Sequence, residues 1–309
     1  MSLHSRLTRG RLLGLFLSLL FVFGFGPLIV AELLGVREEP GIGEALATLR
    51  SFAPLFAALI VQGPILGQAV MEPLGLTIRA TPKVLLAWLA PLFALAVGVL
   101  CTVLFWDGPI ILTEDALVEA KRGVLEGEAR ERFEVVLQKG EFSSPLSLVT
   151  MGMTGGVVLN LLPAFAEEVG FRGFLFKEMP GGFWRRSLLI GLVWGLFFAP
   201  TAYLVGLFPP GREHEGAALL FTFALVLSPA LTYVRIVTGS TIAVAISRAG
   251  FAALSKVGAD LTLGLDPMIR PPFGVSGLIG VVAVVAVFYA LDRRGPGPRV
   301  FEARAPRRG

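Results

Sequence analysis

The fold is decided by residues 146–172, which read LSLVTMGMTGGVVLNLLPAFAEEVGFR. The part of this stretch that ends at Ala166 carries no charge, and about 20 mostly apolar residues suffice for a helix to cross a bilayer. Two adjacent carboxylates, Glu167 and Glu168, follow the apolar run directly, and Arg172 comes four residues later. Because backbone polar groups in lipid must be satisfied within the segment, the run predicts a membrane-spanning helix with charges at its end.

Seven further apolar runs of this kind occur along the chain. The eight predicted spans are Leu12–Leu34, Phe52–Val70, Val84–Phe105, Leu146–Ala166, Ser187–Gly206, Ala217–Val237, Ser240–Ser255 and Val275–Leu291. Of the 309 residues, 54% are hydrophobic and 16% are charged, whereas soluble domains carry about 25% charged residues. This composition excludes a water-soluble globule and predicts an all-α fold, a polytopic membrane helix bundle of about eight transmembrane helices.

The placement of Lys and Arg predicts the orientation of the bundle. With the first segment inside, the inner segments hold sixteen of these residues and the outer segments hold ten. Because cytoplasmic loops are enriched in positive charge, we expect an integral protein of the plasma membrane with both termini cytoplasmic. The chain then divides into a cytoplasmic segment 1–11, a bundle 12–291 and a basic cytoplasmic tail 292–309. We expect the tail to be disordered and held near anionic lipid, and we expect no nucleic acid partner.

The one long loop, residues 106–145, is acidic and falls on the outer side in this topology. Thr113 is suited to capping a helix that carries Glu114 and Asp115 in its first turn. Apolar residues between Thr113 and Leu137 predict an amphipathic helix across the membrane surface or over the bundle. A solvated acidic linker is the alternative.

Cysteine and histidine are scarce. The single cysteine, Cys101, excludes an intramolecular disulfide and a multi-cysteine metal site. The only histidines, His4 and His214, exclude a multi-histidine zinc centre, and the chain has no His-Glu-x-x-His motif. The sequence therefore identifies no cofactor and no metal ligands, and leaves any metal dependence open.

Charged residues inside a bilayer are costly and point to function. Glu32 and Arg50 lie near span ends, from where their side chains are expected to reach the interface. Glu168 and Arg172 form an i, i+4 pair if the fourth helix continues, whereas Glu167 lies about 100° around that helix. A carboxylate held in this way is a candidate general base for water, although the three charges could also simply mark a helix end.

Residues 167–173, Glu-Glu-Val-Gly-Phe-Arg-Gly, resemble the Glu-Glu-x-x-x-Arg motif of the CPBP family of CAAX-prenyl and bacteriocin-processing intramembrane proteases. Residues 191–200 are similar to the second motif of that family. Residues 233–240 are similar to the segment that leads into its third motif. The resemblance covers roughly Leu146 to Leu254, so residues 146–255 are expected to form a protease-like core.

This resemblance implies a helical bundle with a polar cavity that faces the cytoplasm. By residue-to-residue transfer, Glu167 would activate the hydrolytic water, Glu168 would be its neighbour, and Arg172 would organise the helix. Implied partners are membrane lipid, a hydrophobic or prenylated peptide, or a partner membrane protein.

The sequence departs from the family pattern at its helper positions. The histidine of the second motif is replaced by Phe198, and the histidine and asparagine of the third fall at Arg248 and Ala252. His214 is predicted to lie in an outer loop, on the wrong side of the membrane for Glu167. Arg248 could donate to an oxyanion, or could pair with either carboxylate and weaken it as a base.

Three functions remain open at this stage. The first is an intramembrane protease whose activity is altered or lost, since one missing acid–base helper alone costs about 10²–10⁴ in rate. The second is a non-catalytic relative that binds a membrane peptide or a partner protein. The third is a transporter or channel in which Glu167, Glu168 and Arg248 line a polar path.

Overall fold

The computed structural model describes residues 8–36, 39, 41–77, 81–139, 143–204, 207–295, 297 and 299–303, except the side chain at 44. Residues 1–7 of the predicted cytoplasmic segment and 304–309 of the predicted tail therefore lie outside the described residues. The described part is helical and contains no β-strand.

Within the described residues, eight helices are long and apolar enough to cross a membrane, which confirms the predicted architecture. Two shorter helices lie between the third and fourth spans. In chain order the helices are α1 (Arg9–Leu33), α2 (Ile42–Ser51 and Ala53–Ile60, ending in a π-helical turn, Val61–Ile65), α3 (Lys83–Trp106), α4 (Glu114–Val124), α5 (Gly127–Gln138), α6 (Pro145–Glu178), α7 (Phe183–Phe198, ending in a 3₁₀ turn, Ala199–Tyr203), α8 (Glu213–Thr238), α9 (Thr241–Leu261) and α10 (Val275–Arg294).

Local sequence signals account for several of these boundaries. The side chains of Ser144 and Ser240 accept hydrogen bonds from backbone N–H groups in the first turns of α6 and α9. Gly239, with φ of +67°, ends α8 in the left-handed conformation that glycine adopts at little cost.

The segment 106–145 differs from its prediction in one respect. Thr113 caps a helix as expected, because its hydroxyl accepts from the N–H of Ala116. The single predicted helix is instead two, α4 and α5, because the chain is extended at Leu125 and Glu126 and turns at Gly127, where φ is +53°. Lys121 bonds to Asp260 at 3.0 Å and holds α4 against the end of α9.

The tail also differs from its prediction. Phe301 is buried against Phe183 and Tyr233, and the carboxylate of Asp292 accepts from the N–H groups of Val300 and Phe301. Disorder is therefore the wrong description for residues 299–303, which pack onto the bundle.

Consecutive spans run in opposite directions, so their ends fall alternately at the two ends of the bundle. At the first, here called the α1 end, Arg9 lies 3.8 Å from Glu178, where α1 begins and α6 finishes. At the second, the α4–α5 end, Lys121 bonds to Asp260 and Arg212 bonds to Asp266.

Candidate functional site

Helix α6 carries the acidic motif and continues well past its predicted end at Ala166. It reaches Glu178 through a π-helical segment, Val169–Leu175, and such segments often occur at functional sites. A Cβ atom at Gly170 would overlap Pro54, so this glycine lets α6 and α2 approach closely. The extension places the motif inside the bundle, away from the interface.

Glu168 and Arg172 form the predicted i, i+4 pair. Arg172 donates from Nη1 to Oε1 of Glu168 at 3.0 Å and from Nη2 to the hydroxyl of Ser228 at 3.2 Å. Ser228 in turn donates to the carbonyl of Ser187 at 2.7 Å. Both ionic side chains have no exposed surface, so this pair connects α6 to α7 and α8 and does not face a ligand.

Glu167 turns away from that pair and meets Arg248 of α9. The two atoms Arg248 Nη2 and Glu167 Oε2 lie 3.5 Å apart. Charge-assisted hydrogen bonds normally measure about 2.7–2.9 Å, so this is a loose ion pair. Glu167 and Arg248 therefore lie together, as the sequence predicts, but they do not form a short hydrogen-bonded ion pair.

Trp194, whose role the sequence does not predict, lies between the two arginines. Its ring is 4.6 Å from the guanidinium carbon of Arg172 and 5.3 Å from that of Arg248, within the range of cation–π attraction. Phe198 stacks on Trp194 and also faces Arg248 at 5.2 Å. The aromatic pair thus fixes the position of Arg248 where the family pattern has histidine chemistry. The position of Trp194 within residues 191–200, which resemble the second motif of the family, is the feature of the sequence that could have indicated this role.

Arg50 corrects an expectation from the sequence. It does not extend to the interface, because α2 begins ten residues before the predicted span and places Arg50 inside the bundle, with 4% of its surface exposed. It donates to the carbonyl of Phe197 at 2.6 Å and to the hydroxyl of Thr201. A third buried arginine therefore joins Arg172 and Arg248.

These side chains surround a cavity of about 310 Å³. Its charged lining groups are Arg50, Glu167 and Arg248. Phe198 and Ala252, the two degenerate motif positions, also line it. The remaining lining residues are Ala47, Thr48, Ser51, Asn160, Pro163, Ala164 and Thr201. The structure thus brings every predicted site residue to one cavity or its wall, except the Glu168–Arg172 pair behind it.

The cavity extends toward the α4–α5 end of the bundle. Thr48 in the first turns of α2 and Thr201 at the end of α7 both lie on that side, and Thr48 is exposed. On the other side, along α6, Phe171 and Phe174 are completely buried and close the route to the α1 end. The sequence predicts that the cavity faces the cytoplasm and that both termini are cytoplasmic. Because the cavity extends toward the end opposite the termini, these two predictions cannot both hold.

The predicted separation of His214 from Glu167 by the membrane is also wrong. It lies at the α4–α5 end, the same end toward which the cavity extends, and bonds through Nδ1 to the hydroxyl of Tyr203 at 2.5 Å. The side of the bundle is thus not what separates it from Glu167. It remains outside the set of residues that line the cavity.

The chemistry of the donors around the cavity does not suit a divalent cation. Calcium, magnesium and zinc sites use several carboxylate, carbonyl or imidazole ligands. Here one carboxylate, Glu167, faces two guanidinium groups, and the described residues contain no cluster of three acidic, histidine or cysteine side chains placed to hold a metal.

Part of the chain matches a known protein family. Residues 150–254 match the family described as Type II CAAX prenyl endopeptidase Rce1-like. This interval covers most of α6, all of α7 and α8 and the first two thirds of α9, and it contains Glu167, Arg172, Trp194 and Arg248. No curated protein is significantly similar to the chain. The match confirms the resemblance to the CAAX protease family over this segment, in an integral membrane bundle.

Proposed function

Starting from this type II CAAX prenyl endopeptidase-like core, we propose that the cavity binds a hydrophobic membrane peptide and that its hydrolysis is strongly reduced or lost. The supporting observation is the composition of the cavity wall. Phe198 and Ala252 face the cavity where the family pattern has histidine and asparagine, and neither can exchange a proton. Arg248 can donate hydrogen bonds but does not act as a proton acceptor.

Glu167 is the residue suited to orient a water for attack on a peptide carbonyl. Arg248, 3.5 Å away, is suited to donate to the oxygen of that carbonyl as negative charge develops there. In that step Glu167 takes a proton from the water, and the leaving amine must then be protonated. Apart from Glu167 itself, which would have to carry its proton across to the amine, no described side chain that lines the cavity is suited to donate it. A missing acid–base group costs about 10²–10⁴ in rate, so substrate binding is retained more readily than turnover.

The same geometry supports a non-catalytic relative that binds a partner membrane protein through one of its segments. The alanines and the proline of the cavity wall offer apolar surface to a hydrophobic segment of a partner, and such binding needs no proton transfer. Transport is less well supported, because Phe171, Arg172 and Phe174 are all completely buried on the α1 side of the cavity.

We further propose that the α1 end is cytoplasmic, in the plasma membrane, because that end carries most of the Lys and Arg. The cavity then receives its ligand from the extracytoplasmic half of the membrane. A peptide or protein segment reaching it from that side is favoured over a prenylated protein of the cytoplasm.

The direct test is to assay the purified full-length protein in lipid nanodiscs with a fluorescent hydrophobic peptide, measuring binding and cleavage together. We expect saturable binding, and cleavage no more than about tenfold above that of Glu167→Gln. Glu128→Gln, on the exposed face of α5, is the matched control for a lost carboxylate. Robust cleavage that Glu167→Gln abolishes would contradict the loss of hydrolysis, and failure to bind any hydrophobic peptide would contradict the proposed function itself.

A further inference from the structure

The buried charges around the cavity do not cancel. Glu167 and Glu168 supply two negative charges, whereas Arg50, Arg172 and Arg248 supply three positive ones. Among the described groups that line the cavity the excess is the same, with Arg50 and Arg248 beside the carboxylate of Glu167. A buried charge without a partner is costly, so the cavity beside these groups favours a ligand of opposite sign.

Arg248 makes fewer hydrogen bonds than Arg50 or Arg172. A guanidinium has five N–H donors, and the described partner of Arg248 is the one distant carboxylate oxygen at 3.5 Å. Its Nε is buried without a hydrogen-bond partner, as are those of Arg50 and Arg172, and 94% of the residue is buried in the wall of the cavity. The rings of Trp194 and Phe198 lie 5.3 and 5.2 Å from its guanidinium carbon and hold the group in place in the cavity wall.

Arg50 plays a different part. Two of its nitrogens are occupied by the carbonyl of Phe197 and the hydroxyl of Thr201. It therefore contributes mainly positive potential to the cavity. Together the two arginines form a site in which Arg248 makes the direct contact and Arg50 supplies the field.

We propose that this cavity binds a single anionic group, a carboxylate or a phosphate, against Arg248. The inference rests on the proposed function, because it names the part of the ligand that the cavity recognises. The favoured source is the C-terminal carboxylate of a hydrophobic peptide, since Ala47, Pro163, Ala164 and Ala252 line the same space with apolar surface. The headgroup of an anionic lipid carries the same chemistry and is the second source.

Glu167 competes with such a ligand for Arg248. The loose 3.5 Å contact leaves room for an incoming oxyanion, but the carboxylate of Glu167 also repels it. Removal of that charge should therefore strengthen anion binding. This sign is opposite to the one expected if Glu167 were needed only to maintain the shape of the cavity.

The experiment compares two fluorescent hydrophobic peptides that differ only at the C-terminus, one a free carboxylate and one an amide. Binding to the full-length protein is measured in nanodiscs of phosphatidylcholine. We expect the carboxylate peptide to bind at least about tenfold more tightly than the amide. A tenfold difference in Kd corresponds to about 1.4 kcal/mol of binding free energy. Arg248→Gln should remove this preference, Arg248→Lys should keep part of it, and Glu167→Gln should increase it.

Arg132→Gln, which removes an exposed arginine of α5, is the matched control and should leave the preference unchanged. A second arm repeats the amide peptide in nanodiscs containing phosphatidylglycerol and adds inorganic phosphate in solution. Displacement of the peptide by phosphatidylglycerol in the wild type but not in Arg248→Gln would identify a lipid headgroup as the anion.

The outcomes separate the two proposals. Equal binding of both peptides, with no effect of phosphatidylglycerol or phosphate, overturns the anion site while leaving peptide binding intact. Anion binding that depends on Arg248, without binding of either peptide, supports the site and overturns the proposed function. If Arg248→Gln fails to fold, the comparison of the two peptides on wild type and on Glu167→Gln still decides the question.

Discussion

Arg248 Nη2 lies 3.5 Å from Glu167 Oε2, and this contact joins α9 to α6 at the floor of the cavity. The neighbouring pair, Glu168 and Arg172, is shorter at 3.0 Å and has no exposed surface. The two ion pairs therefore have different roles. The inner pair holds helices together, whereas the outer pair faces space that a ligand can enter.

The first prediction concerns the inner pair. Arg172→Met leaves the carboxylate of Glu168 buried without its cation, which should lower the free energy of unfolding by about 3–5 kcal/mol. Adding Glu168→Leu should recover most of that loss, because the uncompensated charge is then gone. Thermal or denaturant unfolding of the detergent-solubilised variants measures both effects, and a double variant as unstable as Arg172→Met would contradict the interpretation.

The second prediction concerns the helper positions. Phe198→His combined with Arg248→His puts imidazoles on the cavity wall at the positions where the family pattern has them. We expect peptide cleavage to rise by about 10² or more over the wild type, because a proton relay becomes available. The same pair of changes with Glu167→Gln is the control and should stay inactive. If the two histidines produce no gain while peptide binding persists, the missing relay is not what limits turnover.

Much of the fold follows from composition, and the parts that do not follow have physical reasons. Eight apolar runs are enough to predict eight helices, and the four-residue spacing is enough to pair Glu168 with Arg172. Arg50 was misplaced because hydropathy cannot distinguish a charge that reaches the interface from one that a neighbouring carbonyl and hydroxyl accept. That distinction depends on contacts with α7, 147 residues away in the chain.

The sequence also could not predict toward which end of the bundle the cavity extends. Glu167 and Arg248 lie on helices that run in opposite directions, and their depths become comparable only when the helix ends are known. The predicted end of α6 at Ala166 made the motif look like an interface feature. The true end at Glu178 places it inside the bundle, with buried aromatic residues on one side and open space on the other.

The third prediction concerns the helices α4 and α5. Lys121 reaches Asp260 at 3.0 Å, and both side chains are mostly buried, so this bridge should hold α4 on the bundle. Lys121→Gln should increase the rate of proteolysis within residues 114–138, measured on the folded protein in nanodiscs with a protease that does not cut at lysine. Arg132→Gln breaks only an exposed pair within α5, and exposed pairs contribute little. Equal protection of wild type and Lys121→Gln would mean that other contacts anchor the segment.

The last prediction concerns orientation, on which the nature of the ligand depends. Cys101 is the one cysteine of the chain and is buried, so Cys101→Ala provides a background for single-cysteine labelling. Glu128→Cys reports the α4–α5 end, and Gly297→Cys reports the α1 end. In intact cells a membrane-impermeant thiol reagent should label position 128 and leave position 297 unlabelled until the cells are permeabilised, because the α1 end holds most of the Lys and Arg. The reverse pattern would place the cavity on the cytoplasmic side, and prenylated cytoplasmic proteins would then become the favoured ligands.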